Sequence, residues 1–342
     1  MRLLTIATGL ILLVFASVQI TFAQSNCASD CGVSSSAIEA YPTPNVYPLQ
    51  IDETILYDRS YRTVVGSLAV YDAPNGNLLE NYGTGYNYAT VIQEVNGWAE
   101  IAEGKWVKSE ILGDDSLPSR FTGVELPDEP LPYTMAWTLK HLRAAKTPGG
   151  EPADDNPYLY RYTRVSLYAT VEVDGFKWYQ IGENQWVHQF NVAKIQPPEK
   201  PEEIDTHKWV SVDLYEQVAI AYEGDTPVFA TLVSSGLSQW STNEGIFHVY
   251  LRFPRTLMSG GYGAEDFYYL QEVPWTMYFD SDIGLHGTYW HDGFGYRQSH
   301  GCVNLSIMDA YWLFNWANDE FDFAAEDYEG PAVYVYSSGE YS

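Results

Sequence analysis

The sequence predicts a mostly β protein in which two small β-barrels precede a larger β domain with one prominent helix. Three observations support this fold class. Aromatic residues make up 15% of the 342 residues, including 28 Tyr and 11 Trp, and aromatic side chains favour strands because they fit a pleated, half-buried surface. Two segments before residue 200 repeat one another. The chain that follows alternates polar and apolar residues and contains a single capped helical pattern.

An apolar segment at the N-terminus predicts export. Arg2 precedes an apolar run that reaches about Val18, and Thr21–Ala23 has small residues at both positions that a signal peptidase reads. We therefore expect residues 1–23 to be a signal peptide that is cut after Ala23. An uncleaved membrane anchor is the alternative, because residues 20–23 prolong the apolar run. No later segment has the ~18 uninterrupted apolar residues that a membrane-spanning helix needs.

Export changes the meaning of the three cysteines, because thiols outside the cytoplasm tend to be oxidised. Cys27 and Cys31 lie close together in the expected linker over residues 24–60. We expect them to form a small local disulfide. This pairing leaves Cys302 unpaired, and an odd cysteine in an exported chain is a candidate reactive thiol.

The charge of the chain excludes one class of partner. It has 18 basic and 45 acidic residues, which gives a net charge of -27. Such a surface repels a phosphate backbone, so we expect no nucleic-acid partner. The excess of acidic residues also keeps a protein soluble, and we expect a monomer.

An internal repeat with an offset of 80 residues predicts the two barrels. The paired positions are Tyr88–Val91 with Tyr168–Val171, and Trp98, Ile101, Trp106 and Val107 with Trp178, Ile181, Trp186 and Val187. Short alternating segments between turns indicate strands. We predict barrels over residues 61–115 and 135–196, and their shared ending resembles the bacterial SH3-like modules of exported cell-wall enzymes. They are expected either to bind wall polymer or to act as spacers.

Two segments rich in proline and charge separate the predicted parts. The first linker spans residues 116–134 and contains Leu126–Pro132, and the second spans residues 197–205. Proline and charge keep such segments extended and solvated.

The last predicted domain covers residues 206–337. Alternating patterns joined by turns predict antiparallel strands near 209–214, 218–222 and 227–233, with further strands at 246–252, 274–279 and 332–336. The helix is expected to begin after Ser306, with Asp309 at the capping-box position. Its apolar face is formed by Ala310, Leu313, Phe314 and Ala317.

Three histidines fall close together just before the unpaired cysteine, at His286, His291 and His300. A histidine within hydrogen-bond reach of a thiol can generate the nucleophilic thiolate, and Gly301 allows backbone N–H groups to approach a bound carbonyl. On these residues alone, three interpretations remain open. Cys302 is a nucleophile, or it binds zinc together with the three histidines, or it is an inert core thiol beside ordinary loop histidines.

The pattern His286-Gly287 followed by Ser299-His300-Gly301-Cys302-Val303-Asn304 resembles the L,D-transpeptidase catalytic domain, or YkuD family. Thr242–Gly245 is similar to a turn of that family, and Met277–Phe279 precedes the first histidine as it does there. The resemblance covers about residues 206–337. It implies a β-sandwich-like L,D-transpeptidase fold.

The resemblance also implies roles for individual residues. Cys302 would be the nucleophile and His286 the general base, with the Gly287 carbonyl orienting the imidazole. His300 would line the site, and backbone N–H groups around Gly301 and Cys302 would form the oxyanion hole. On the substrate side, four residues are expected: Tyr278 and Trp290 as walls of the cleft, and Ser299 and Asn304 bracing the loop by hydrogen bonds.

The implied reaction is acyl transfer between peptidoglycan stem peptides, without a metal or organic cofactor. It would take place in the cell envelope, where the protein would be associated with the wall. One alternative is an L,D-carboxypeptidase that uses the same thioester but resolves it with water. A second alternative is a wall-binding protein with a degenerate enzyme domain.

Overall fold

The structure is a computed structural model, and it describes residues 32–264, 266–318 and 330–340. The expected signal peptide, Cys27 and Cys31 lie outside the described residues, so export and the disulfide stay predictions. Within the described part of the chain, none of the helices has the length and apolar character required to cross a membrane.

Strands dominate the described residues, as the sequence predicts. Residues 35–115 contain α1 (Ser35–Ala40), β1 (Tyr47–Pro48), α2 (Glu53–Leu56), β2 (Tyr61–Val64), β3 (Ala69–Tyr71), β4 (Leu78–Asn81), β5 (Tyr86–Thr90), β6 (Gln93–Val95), β7 (Trp98–Ala102), β8 (Lys105–Lys108) and β9 (Leu112–Asp115). Residues 116–205 contain β10 (Val124–Glu125), β11 (Thr134–Thr138), β12 (Leu142–Arg143), β13 (Tyr158–Leu159), β14 (Arg164–Leu167), β15 (Ala169–Val173), β16 (Phe176–Gly182), β17 (Gln185–His188) and β18 (Val192–Lys194). The remainder contains β19 (Lys208–Asp213), β20 (Val218–Glu223), β21 (Thr226–Leu232), β22 (Gly245–His248), β23 (Leu251–Gly260), β24 (Tyr268–Asp280), β25 (Ile283–Gly287), β26 (Val303–Leu305), α3 (Ile307–Trp316) and β27 (Ala332–Tyr336).

Two sheets pack face to face around the main core. The first sheet has the strand order β1-β10-β21-β20-β19-β27-β22, and the second has the order β26-β25-β24-β5-β2-β9 with β23 also paired to β24. Val212 of the first sheet, Met277 and Leu285 of the second, and Leu313 of α3 belong to one buried cluster. The predicted mostly β class and sandwich-like catalytic domain with one prominent helix are therefore confirmed.

The helix α3 begins where its capping residues predict. The Ser306 hydroxyl accepts a hydrogen bond from the Asp309 N–H at 3.1 Å, which satisfies one of the unpaired donors of the first turn. The buried Asp309 carboxylate accepts from the Gly123 N–H at 2.7 Å and from the Thr231 hydroxyl at 2.6 Å. It therefore joins the helix to the first sheet and to the segment before β10.

The internal repeat is visible as a shared hairpin. β7 and β8 in the first copy correspond to β16 and β17 in the second, and each hairpin is followed by a 3-10 turn, Ser109–Ile111 or Gln189–Asn191. Both hairpins carry a register shift at equivalent positions, between Glu100 and Ala102 and between Gln180 and Gly182. The repeat is thus present in the structure as well as in the sequence. The assignment of its two copies to SH3-like barrels stays a prediction.

Strands of the N-terminal segments complete the sheets of the C-terminal domain. β5 pairs in parallel with β24 through Tyr86 opposite Tyr268, and β10 pairs with β21 through Val124 opposite Ala230. The buried Tyr61 of β2 also stacks on Tyr289, with ring centroids 3.6 Å apart. Residues 61–134 therefore share sheets and core with the residues after 206.

The buried carboxyl of Asp309 predicts a pH dependence of stability. Burial raises the pKa of Asp309 to about 6, from an ordinary 3.8. As pH rises, the unfolded state loses this proton first, so stability falls between about pH 4 and pH 6. A shift of two units corresponds to about 3 kcal/mol, and Asp309→Asn should remove that part of the dependence.

Urea unfolding of both proteins at pH 4 and pH 6.5 measures this difference. The free energy of unfolding of the wild type, relative to Asp309→Asn, should fall by up to about 3 kcal/mol across the interval. Asp205→Asn, at an exposed position, controls for the loss of one negative charge. An unchanged difference at the two pH values would contradict the assignment.

Candidate active site

Two neighbouring parallel strands of the second sheet position the candidate nucleophile and base. β25 and β26 are paired with Leu285 opposite Val303 and His286 opposite Asn304. Leu285 and Val303 enter the core, and successive side chains of a strand alternate between faces. His286 and Asn304 therefore lie on the opposite face. Cys302 directly precedes β26, and its Sγ reaches the backbone of Asp282 and Gly284 at the start of β25.

Cys302 carries a free, half-buried thiol. Its Sγ lies 3.6 Å from the Asp282 carbonyl oxygen and donates to it. Burial raises the pKa of the Cys302 thiol to about 11, although a hydrogen bond from the Gly284 N–H acts in the opposite direction. At neutral pH the resting sulfur is therefore a thiol, and its activation needs a base.

The backbone fixes one ring nitrogen of His286. Its side chain is buried, and Nδ1 lies 3.1 Å from the Gly287 carbonyl oxygen. Because a carbonyl only accepts, Nδ1 carries the ring proton and Nε2 is left as a proton acceptor. Burial lowers the pKa of His286 to about 4, so the imidazole is neutral and able to act as a base at neutral pH.

The loop before Cys302 is closed by short-range hydrogen bonds. The buried Ser299 hydroxyl donates to the Cys302 carbonyl and accepts from the Gly301 N–H at 3.1 Å. Gly301 has φ +118°, which favours glycine, and its carbonyl accepts from the Thr242 hydroxyl at 2.7 Å. The Ser299 hydroxyl thus connects two points of the loop backbone. The Gly301 N–H is engaged with Ser299, so it can reach an oxyanion only if that bond breaks.

His300 lies in an aromatic slot on the exposed side of the loop. Its ring is 4.0 Å from that of Trp240 and 5.2 Å from that of Tyr268, measured between centroids. Burial by these neighbours lowers the pKa of His300, and Asp266 opposes the shift. The sequence motif predicts that His300 lines the site, but no sequence pattern marks Trp240 or Tyr268 as its neighbours.

Two tyrosines of β24 lie close to the sulfur. Tyr278 is opposite Gly284 in β25, and a Cβ on Gly284 would lie 3.2 Å from the Tyr278 ring. Burial, and then the charge of a Cys302 thiolate, raise the pKa of Tyr278 to about 12 and also raise that of Tyr268. The sequence analysis expected Tyr278 as a cleft wall. It missed Tyr268, because nothing in the local pattern distinguishes this tyrosine from other strand tyrosines.

The other expected cleft residues lie next to His286 or behind it. The Trp290 ring centroid is 5.7 Å from that of His286. Asn304 contacts His291, with its amide nitrogen 2.8 Å from Nε2, and His291 Nδ1 accepts from the Gly293 N–H at 3.1 Å. Both ring nitrogens of His291 are therefore occupied. Among the residues that the structure describes, no three His, Cys, Asp or Glu side chains form a group that could hold a metal ion.

Comparison with known proteins supports one family. Residues 207–335 match the family model described as YkuD, the L,D-transpeptidase catalytic domain. The chain is 31% identical over 129 residues to the putative L,D-transpeptidase YciB of Bacillus subtilis (strain 168), a match that covers 34% of this chain and 64% of the relative. The family resemblance of the C-terminal domain is therefore confirmed.

Solved structures that are similar to part of the chain include an L,D-transpeptidase from Stackebrandtia nassauensis, which has 25% identity, covers 40% of this chain and 59% of that chain, and gives a TM-score of 0.31. A mutant of the Enterococcus faecium L,D-transpeptidase has 23% identity, covers 38% and 50% of the two chains, and gives a TM-score of 0.33. The L,D-transpeptidase from Mycobacterium smegmatis has 16% identity, covers 49% of this chain and 69% of that chain, and also gives a TM-score of 0.33.

The raised pKa of the thiol predicts how Cys302 reacts with iodoacetamide. Only the thiolate reacts quickly, so the alkylation rate should rise about tenfold per pH unit from pH 7 to pH 10, without a plateau below a pKa of about 11. Mass spectrometry of the peptide that contains Cys302 measures the rate, and Cys302→Ser is the control for labelling elsewhere. A plateau between pH 6 and pH 8 would instead indicate a preformed thiolate–imidazolium pair.

Proposed function

We propose that the chain is a cysteine-dependent L,D-transpeptidase acting on peptidoglycan stem peptides, because residues 207–335 match the family model of the L,D-transpeptidase catalytic domain, YkuD. The observation that supports this most directly is the pairing of β25 with β26. β25 carries a neutral imidazole, His286, whose Nδ1 is fixed on a carbonyl, and a free thiol, Cys302, directly precedes β26 and reaches the backbone at the start of β25.

In the first half of the proposed reaction, Cys302 Sγ attacks the carbonyl carbon of the third residue of a tetrapeptide stem. His286 Nε2 takes the thiol proton as the carbon–sulfur bond forms. The carbon–nitrogen bond to the terminal D-alanine then breaks, and the proton passes from His286 to the leaving amine. The products are free D-alanine and a thioester on Cys302.

In the second half, the side-chain amine of the third residue of a neighbouring stem attacks the thioester. His286 accepts a proton from the attacking nitrogen and returns it to the leaving sulfur. A new amide links the third residues of the two stems, and the thiol is restored. If water takes the place of the amine, the product is a trimmed tripeptide and the enzyme is an L,D-carboxypeptidase.

A binding protein with an inactive catalytic domain is the competing proposal from a different class. Two features argue against it: the site retains a free thiol, and the buried imidazole keeps the tautomer that a base requires. We further propose that the reaction takes place outside the cytoplasm, in association with the wall. The support for this location is the apolar N-terminal segment and the nature of the substrate.

Product analysis tests the proposed reaction. Wild-type protein incubated with a disaccharide-tetrapeptide should release D-alanine and form a dimer joined through the third residues, detected by mass spectrometry. Cys302→Ser should lose at least about 10³-fold in both products, because the attack requires the thiolate. Trimmed monomer without dimer would identify the carboxypeptidase, and absence of both products from the wild type would contradict the proposed function.

The two motif histidines should differ in their effect on acylation. A general base contributes about 10²–10⁴-fold, so His286→Ala should slow single-turnover thioester formation by at least about 10²-fold. His300→Ala should cost less, because His300 is held by Trp240 and Tyr268 on the exposed side of the loop. His207→Ala, at an exposed histidine away from the site, is the matched control.

The comparison is made across a pH series from about 3 to 9, which extends below the pKa of His286. The wild-type rate should fall as His286 becomes protonated near its pKa of about 4. If His300→Ala loses this fall in rate at low pH while His286→Ala keeps it, then His300 and not His286 is the general base.

A further inference from the structure

We propose that Tyr86, in the first repeat, is a substrate-positioning residue of the catalytic site and forms the wall against which the donor stem peptide lies. This inference deepens the proposed function and rests on it. It assigns the first repeat a part in the catalytic cleft, which is a different role from binding wall polymer or separating domains.

The strand register places Tyr86 on the active-site face. β5 runs parallel to β24, with Tyr86 opposite Tyr268, and the Tyr86 N–H donates to the Phe267 carbonyl at 2.9 Å. Residues paired across neighbouring strands project to the same side of a sheet. Tyr268 projects toward His300 and the sulfur of Cys302, so Tyr86 projects to the same side one strand further out.

The hydroxyl of Tyr86 is fixed on the segment that follows the catalytic histidine. It donates to the Trp290 carbonyl at 3.4 Å and accepts from the Tyr88 hydroxyl at 3.3 Å. Trp290 in turn packs its ring near the His286 ring. A chain of contacts thus connects β5 of the first repeat to the base of the reaction.

The ring itself remains available to a ligand. Tyr86 is 51% exposed although its hydroxyl is tethered at one end and its ring meets that of Tyr88 edge-on. A half-exposed ring that is held at its tip loses little conformational entropy when a ligand packs on it. Together with Trp290, Tyr268 and Tyr278, it makes the surroundings of Cys302 and His286 aromatic on several sides.

The chemistry of this wall suits an uncharged segment of peptide. Aromatic rings bind flat or apolar groups through their faces, and such contacts contribute about 0.5–1.5 kcal/mol. The peptide planes and methyl groups of a tetrapeptide stem are groups of this kind. The contact is made with the non-reacting part of the substrate, so it should act on KM more than on kcat.

The test compares three substitutions of Tyr86 with the wild type, using a free tetrapeptide stem and measuring D-alanine release. Tyr86→Ala and Tyr86→Leu should raise KM about 2- to 12-fold, which corresponds to losing the free energy of the ring contact. Both should change kcat by less than about twofold. Tyr86→Phe keeps the ring but loses the hydroxyl tether, so its KM should lie between those of the wild type and Tyr86→Ala. Tyr47→Ala removes a ring of similar exposure, 56%, in β1 and should have no effect.

Iodoacetamide labelling of Cys302 serves as the structural readout and should be the same in all variants. The inference is overturned if the wild type is active and Tyr86→Ala keeps its KM, or if Tyr86→Ala lowers kcat and labelling while KM is unchanged. It is also overturned if KM changes only for substrates that carry the disaccharide, which would place the ring on sugar. A wild type without D-alanine release contradicts the proposed function itself, and the inference falls with it.

Discussion

The parallel pairing of β25 and β26 is the constraint on which the site depends. With Leu285 opposite Val303, every second side chain of both strands enters the core. A slip of one residue would move these apolar side chains to the other face and carry His286 and Asn304 into the core. The burial that stabilises the sandwich therefore also keeps the candidate base on the opposite face of the sheet, next to the strand that Cys302 directly precedes.

The site is uncharged at rest. Burial keeps the proton on Cys302, with a pKa of about 11, and off His286, with a pKa of about 4. An ion pair of thiolate and imidazolium is therefore disfavoured before substrate arrives, and proton transfer must accompany the attack on the carbonyl. Thiolates are the species that oxidants attack. A neutral thiol would thus also suit the location outside the cytoplasm that we propose.

The residues that local sequence could predict are those whose role is set within a few positions of the chain. Ser306 and Asp309 mark the start of α3, His286 and Cys302 stand in a short motif, and the 80-residue offset reveals the repeated hairpin down to its bulge. The repeat is found by comparing two segments of the chain, whereas the other two signals depend on neighbours in sequence. For the same reason Ser299 could be expected to brace the loop that contains Cys302.

Contacts between distant segments could not be predicted in this way. Trp240 and Tyr268 reach His300 from segments about 60 and 30 residues away, and neither stands in a recognisable pattern. The bond between Ser299 and the Gly301 N–H was also missed, since it depends on how the loop closes. The pairing of β5 with β24 joins residues about 180 apart, and two well-separated repeats in the sequence give no indication of it.

This pairing changes the physical meaning of the first repeat. β24 carries both Tyr268 and Tyr278, and it has two residues with positive φ between them, Glu272 at 51° and Trp275 at 55°. Such positions cost of order 1–3 kcal/mol each and persist only where the surroundings hold them. β23 pairs along nearly the whole of β24, from Tyr278 to Tyr268, while β25 pairs at the Tyr278 end and β5 at the Tyr268 end. A strand from the first repeat therefore supports the Tyr268 end of this bent strand, next to His300, on the edge that β23 leaves open.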